Sequence, residues 1–366
     1  SNFEFNTKEG EILGITSVEE YKDIQPEGNY IIIKDLDFRN ENNIKFGGAN
    51  MSFQGHINFN GHTVYKKFFN GKNTQLFYKI GEKGKIENLV LKEYFLNELP
   101  CNGSGLFESN YGNINNIYIS IEESIKNENQ NLSLIGTNNY GIINSFIVNY
   151  KEKLYGINIR AINSNTGIVK NGYLYGENIQ IYKQSVNTIE STLICNNTGS
   201  INNIYSLVGI DAEELQPTQD TTALIVTNND GGELNNVYTV GLGNAYNIEK
   251  NPNTNNGVGR ISNSFYVNNK EFKGTADKKI TEKLLYDSDF QNNVLNSDNQ
   301  FEVDSLITSG YYPQLKLNEC MPRQDYIELP EITDVDLPDV LSTEIIEQEN
   351  KKAKVKVNIY NPAGET

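Results

Sequence analysis

The apolar positions of this chain recur in a fixed frame. Seven segments share one order: Gly, any residue, apolar, any residue, Asn, any residue, large apolar. They begin at Gly84, Gly112, Gly141, Gly167, Gly199, Gly232 and Gly259, spaced by 28, 29, 26, 32, 33 and 27 residues. The first apolar position is Ile86, Ile114, Ile143, Val169, Ile201, Leu234 and Ile261, without exception. Asn follows at Asn88, Asn116, Asn171, Asn203, Asn236 and Asn263; the third segment has Ser145 there, just after Asn144. Two residues later stand Val90, Tyr118, Ile147, Tyr173, Tyr205, Tyr238 and Phe265. A second apolar pair precedes six of the seven glycines by six to eight residues, as in Leu76-Phe77, Leu106-Phe107 and Leu193-Ile194.

Each repeat therefore predicts at least two short strands joined by Gly/Asn turns. Neither strand can bury its apolar side alone, but stacked successive turns bury one continuous core. The predicted class is all-β: a β-solenoid (β-helix) of about seven or eight coils, with terminal caps and short helices. A leucine-rich repeat has a similar length, but its Asn follows an L-x-L strand that is absent here. An amide at one corner of every coil can bond the coil above and the coil below. The repeat glycine is expected to supply a turn with positive φ.

The pattern changes at the ends. Residues 1–65 read as an N-terminal cap and first coil: a helix from Ser17 to about Asp23, a strand at Tyr30-Ile31-Ile32-Ile33, and an alternating stretch from Phe53 to Gly61. Residues 66–270 hold the solenoid repeats and 271–320 a C-terminal cap, with a helix over Thr281–Asn296 and a closing strand over Gly310–Lys316. Residues 321–344 form an acidic, proline-punctuated linker. Residues 345–366 begin a further β module, with Lys354–Tyr360 as its strand. With neither an initiator Met nor a signal peptide, the chain reads as a piece of something longer.

Composition narrows the partners. The chain has 366 residues, 56 of them Asn and 40 Ile, and a net charge of −16. Asn is poor in helices and favoured in turns, which agrees with short strands and many corners. The acidic surface repels phosphate backbones and anionic bilayers, so nucleic acid is not expected as a partner. No stretch approaches 18 consecutive apolar residues, so no membrane insertion is expected. A monomer is expected. Cys101, Cys195 and Cys320 are far apart and contain no C-x-x-C pair, which argues against a cysteine zinc site or a disulfide framework.

Candidate chemistry is sparse. His56 and His62 are the sole histidines, six apart in a strand pattern, and do not form H-E-x-x-H. A G-x-S-x-G elbow, a P-loop and G-G-x-G-x-D calcium repeats are all missing. Asp334, Asp336 and Asp339 lack the Gly and closing Glu of an EF-hand loop. No catalytic, cofactor or metal residue is assigned. The densest acids, Asp211, Glu213, Glu214 and Asp220, fall in the longest spacing and read as a loop leaving the rod, a contact surface for a basic partner. The recurring Tyr118, Tyr173, Tyr205 and Tyr238 argue for stacking within the rod, with a carbohydrate-binding strip as the sharper alternative.

These motifs carry a resemblance. The G-x-I-x-N repeats look like the GLUG motif of bacterial surface proteins. The stretch from about Tyr21 to Pro330 resembles the N-terminal region of the zinc-type immunoglobulin A protease family of Gram-positive bacteria. It does so through Gly28-Asn29-Tyr30 to Asp37, the Phe53-to-Val64 coil, Tyr311-Tyr312-Pro313-Gln314-Leu315-Lys316, and Met321-Pro322 to Leu329-Pro330. The resemblance implies a secreted or cell-wall zinc metalloendopeptidase, a virulence factor, as parent. Its zinc and H-E-x-x-H helix would lie downstream, leaving this chain a non-catalytic spacer or substrate-positioning arm. A surface adhesin binding a host glycoprotein or glycan, and a cryptic carbohydrate-active enzyme, are the alternatives.

Overall fold

The computed structural model describes residues 11–41, 44, 51–69, 75–95, 102–123, 131–151, 158–180, 192–211, 225–240, 249–251, 253–254, 257–267, 278–279, 289, 301–302, 314–315, 320–322, 339–349 and 352–360. Within them the chain is a β-solenoid of about five full turns, with shorter strands extending the stack at both ends.

Two parallel sheets make the coil. In one, Lys85–Phe95, Asn113–Ile121, Ile142–Tyr150, Ile168–Gln180, Ser200–Asp211 and Glu233–Val240 follow one another as neighbours. Their register aligns the apolar column, Ile86 with Ile114, Ile143, Val169, Ile201, Leu234 and Ile261. In the other, Phe77–Ile80, Phe107–Asn110, Asn131–Asn139, Asn158–Asn165, Ile194–Asn197 and Val226–Asn229 stack in the same order. The inward side chains of both sheets form one core from Ile15 to Val237. Size alternates where rings stack. Gly136 lies opposite Phe107, and Gly172 opposite Phe146; a Cβ at either glycine would run into the neighbouring ring.

The corner between the two halves of each long strand is set by Asn. Asn60, Asn88, Asn116, Asn171, Asn203, Asn236 and Asn263 all have φ between 45° and 61°. Asn tolerates this left-handed conformation better than any other residue with a side chain. The repeat glycines are therefore not the positive-φ residues that the sequence suggested; only other glycines, such as Gly61 and Gly231, have positive φ. Their reason is crowding. A Cβ at Gly141, Gly167 or Gly199 would lie under 3.0 Å from the carbonyl oxygen of the repeat glycine one coil before.

The amides then ladder along the axis. Asn88 donates to Asn58 (3.0 Å), Asn116 to Asn88 (2.6 Å), Asn203 to Asn171 (2.8 Å) and Asn236 to Asn203 (2.9 Å). Ser145 keeps the corner, with φ 58°, but breaks the ladder. Asn171 turns aside to Asn144 (2.6 Å), and Asn144 donates to Asn115 (2.7 Å). The Asn116 Oδ1 below Ser145 is left buried without a partner.

A second Asn column, absent from the sequence reading, closes the other corner. Asn110 donates to Asn139, Asn139 to Asn165 and Asn165 to Asn197, each at 2.8 Å, and Asn197 to Asn229 at 2.9 Å. Asn110, Asn139, Asn165 and Asn197 each also donate to the carbonyl of the residue two places on, such as Gly141 from Asn139 (3.3 Å). This ladder donates toward the C-terminal coil, and the first donates toward the N-terminal coil.

The N-terminal end matches expectation. Helix Val18–Lys22 is capped by the Ser17 side chain, which accepts from Glu20 N, and Glu19 and Glu20 occupy its first turn. Tyr21 is fully buried and its hydroxyl donates to Leu76 O (3.1 Å), tying the helix to the coils. Strand Asn29–Ile32 follows.

Beyond the last coil, Gln314–Leu315 pairs antiparallel with Phe301–Glu302 and lies against Ile168–Gln180. Cys320 passes Gly61 of the first coil so closely that a Cβ at Gly61 would lie under 3.0 Å from the Cys320 carbonyl oxygen. The chain thus returns along the rod toward its N-terminal end. The helix expected over 281–296 lies outside the described residues apart from residue 289. The expected linker must be shortened: strand Asp339–Glu349 begins inside it and pairs antiparallel with Lys352–Tyr360. The strand read at Lys354–Tyr360 is thus one arm of a hairpin.

Two substitutions test the corner. Asn203→Ala loses a buried amide and places Ala at φ 57°, so stability should fall by about 1–3 kcal/mol in chemical unfolding, more than for Asn203→Gly. An unchanged midpoint would mean that the ladder contributes nothing. Ser145→Asn offers the Asn116 Oδ1 a donor and the corner a better residue. A gain of about 1 kcal/mol, read as a melting temperature higher by about 1 °C, is the expected result.

Candidate functional site

The Asn corner sends alternate side chains of the following strand half away from the core. Leu89 and Leu91 point in, and the alternate residues Val90 and Lys92 do not join the core. Register then builds two outward rows. One runs Val90, Tyr118, Ile147, Tyr173, Tyr205 and Tyr238; the other runs Lys92, Ser120, Asn149, Tyr175 and Leu207.

The C-terminal half of the first row is covered, not displayed. Tyr173, Tyr205 and Tyr238 are 1–2% exposed and stack face to face, with centroids 5.2 Å and then 4.7 Å apart. Their faces are occupied by one another, so the stacking reading holds and the sugar strip does not. Ile147 interrupts the column, and the Tyr118 hydroxyl instead meets that of Tyr175 at 3.2 Å. An exposed pair, Tyr111 and Tyr140, stacks at 4.7 Å on the second corner, with Lys79 Nζ 4.6 Å from the Tyr111 centroid.

At the N-terminal part of this face the returning chain leaves a cleft of about 530 Å³. Its floor is Val90 and Tyr118, its roof Cys320, Met321 and Pro322, and its polar wall Lys92, Ser120, Glu122, Asn149 and Lys151. Glu122 accepts from Ser120 Oγ (2.7 Å) and pairs with Lys151 (3.2 Å). Burial opposes its ionisation, yet the Ser120 hydrogen bond and the Lys151 ammonium hold its pKa below the ordinary carboxylate value. Asn149 Nδ2 donates to the Tyr118 hydroxyl (3.1 Å). Burial pushes the Cys320 thiol up, so it is a poor nucleophile.

The residues singled out in the sequence do not converge here. Asn88, Asn116, Asn171, Asn203, Asn236 and Asn263 form the corner. Asp211 ends a strand paired with Gln180 rather than standing in a loop, and Glu213, Glu214 and Asp220 lie outside the described residues. His56 meets Glu87 at 2.6 Å, and His62 meets Asp35 at 3.1 Å, so the two histidines have separate acid partners. Burial opposes ionisation of Glu87, but His56 and Lys85 keep its pKa below the ordinary value. Among the described residues no group of three or more His, Cys, Asp and Glu is placed to hold a metal ion, and no helix is long and apolar enough to cross a membrane.

No protein-family model matches the chain, and no curated protein matches it.

One further polar group lies inside the rod. Lys66 and Glu93 are register partners on adjacent strands, and both are fully buried. Lys66 Nζ donates to Ser104 O (3.3 Å) and sits 3.6 Å from the Phe68 ring centroid. Neither Glu93 oxygen has a hydrogen-bond partner. Burial raises the Glu93 pKa to about 8, against the pull of Lys66. An acid whose pKa rises on folding binds its proton more tightly in the folded chain than in the unfolded one. Its contribution to stability therefore falls as pH rises from the ordinary 4.5 to about 8, and then levels off. Glu93→Gln should thus raise the melting temperature increasingly across that window and by a constant amount above it. Parallel curves of melting temperature against pH for the two proteins would show that Glu93 does not titrate there.

Proposed function

We propose that this chain is a non-catalytic, rigid arm of a secreted, cell-surface zinc metalloprotease of Gram-positive bacteria, acting as a spacer or substrate-positioning element. The observation that carries the arm is the continuous core, along which two amide ladders, one interrupted at Ser145, hold coils in register. Five turns at about 4.8 Å each hold the ends roughly 24 Å apart along the axis, and a close-packed core resists bending. The protease parent rests on the resemblance of the G-x-I-x-N repeats and their flanking motifs, with zinc bound downstream. The cleft under residues 320–322 favours a second reading, a surface adhesin with a host glycoprotein or glycan as partner.

The reading frame beyond Thr366 separates the two. An H-E-x-x-H helix there supports the arm; further repeats with a wall anchor and no such helix overturn the protease and leave the adhesin. In the full-length protease, deletion of residues 113–141 removes one repeat and rejoins equivalent positions. Cleavage of a short peptide should be unchanged, while cleavage of the folded protein substrate should fall about 10-fold or more. Equal effects on both substrates would overturn a positioning role.

A further inference from the structure

We infer that the cleft beneath residues 320–322 is a binding site for a small acidic sugar of the hexuronate type. This stands apart from the arm reading, since a rigid rod can hold such a site whatever it is attached to. Lys92, Ser120 and Asn149 occupy one outward row on three successive coils. At about 4.8 Å per coil, the row spans roughly 10 Å, the length of one or two sugar rings. The volume of about 530 Å³ lies in the range of small-ligand pockets.

The lining fits that chemistry group by group. The aliphatic side chain of Val90 and the ring of Tyr118 give an apolar floor for the C–H face of a sugar ring. Ser120 and Glu122 are already joined in a short polar chain that Lys151 completes, an arrangement able to exchange hydrogen bonds with ring hydroxyls. Lys151 pairs directly with Glu122 and Lys92 acts on the same carboxylate from further off, so the two ammoniums share one acid and one positive charge is left over. Lys92 has no ion pair or hydrogen bond among the described residues; its nearest aromatic partner is the Tyr65 ring, 5.9 Å from centroid to Nζ. A half-buried ammonium that makes no direct ion pair, in a cleft where two lysines share one carboxylate, is the group that would receive the carboxylate of the sugar.

The test is titration of the isotope-labelled chain with sodium glucuronate, glucose or sodium acetate, followed by amide chemical shifts. Glucuronate should bind in the millimolar range and shift the amides of Lys92, Ser120 and Asn149. Glucose and acetate should each bind about 10-fold more weakly, because each offers half of the recognised chemistry. Lys92→Met should weaken glucuronate about 10-fold, and Lys92→Arg should retain it, with both variants melting like the parent. No shifts at about 10 mM glucuronate would overturn the site. So would acetate binding as well as glucuronate, or Lys92→Met binding unchanged.

Discussion

Everything in this rod depends on a corner that must be turned at positive φ while burying a polar side chain. Glycine would turn it and leave the coils untied; an aliphatic residue would tie nothing and strain the backbone. Asn satisfies both demands, because its amide is at once donor and acceptor. Once that corner repeats, the remaining geometry is forced. The register fixes the apolar column, the column fixes which side chains point in, and the residues between are thrown to the outer face. The glycine column follows from the same closeness: successive corners stack so tightly that the backbone of one coil occupies the volume a Cβ would need on the next.

Much of this was legible in the sequence, because it is periodic. The strands, their order and the role of Asn203 or Asn236 can be read from spacing alone. Spacing does not distinguish two residues that both suit a tight turn, so the pattern points to Gly112 and Gly141 for a positive φ that belongs to Asn116 and Ser145. The second Asn column was equally regular, two residues before Gly112, Gly141, Gly167 and Gly199, yet a turn-favouring residue beside a glycine reads as an ordinary loop. The cleft was not legible. It exists because residues 320–322 pack against strands more than 150 residues earlier, and no local pattern announces such a contact. Cys320 reads as the end of the C-terminal cap and Met321 as the start of a linker, and both act as a roof.

The Lys66–Glu93 pair shows what repetition permits. Lys66 and Glu93 are followed in register by Ile121, so the column opens with two charged members and then turns apolar. A solenoid repeats its backbone more strictly than its side chains. A charge pair can therefore be confined to two adjacent layers without disturbing the others, and a core of this kind can differ in polarity from one end to the other. The same freedom lets Lys92 stand in a row that becomes Tyr175 and Leu207 further along.

The two amide ladders run in opposite senses, one donating toward each end of the rod. Aligned amides in an α-helix add up to a macrodipole that draws anions to one end and cations to the other. Here the two columns oppose each other, so their fields offset rather than add along the axis. Lengthening the rod by further coils adds stiffness without adding polarity. The charge carried by whatever sits at either end is then set by its own side chains, and a solenoid of this design can join modules of any electrostatic character.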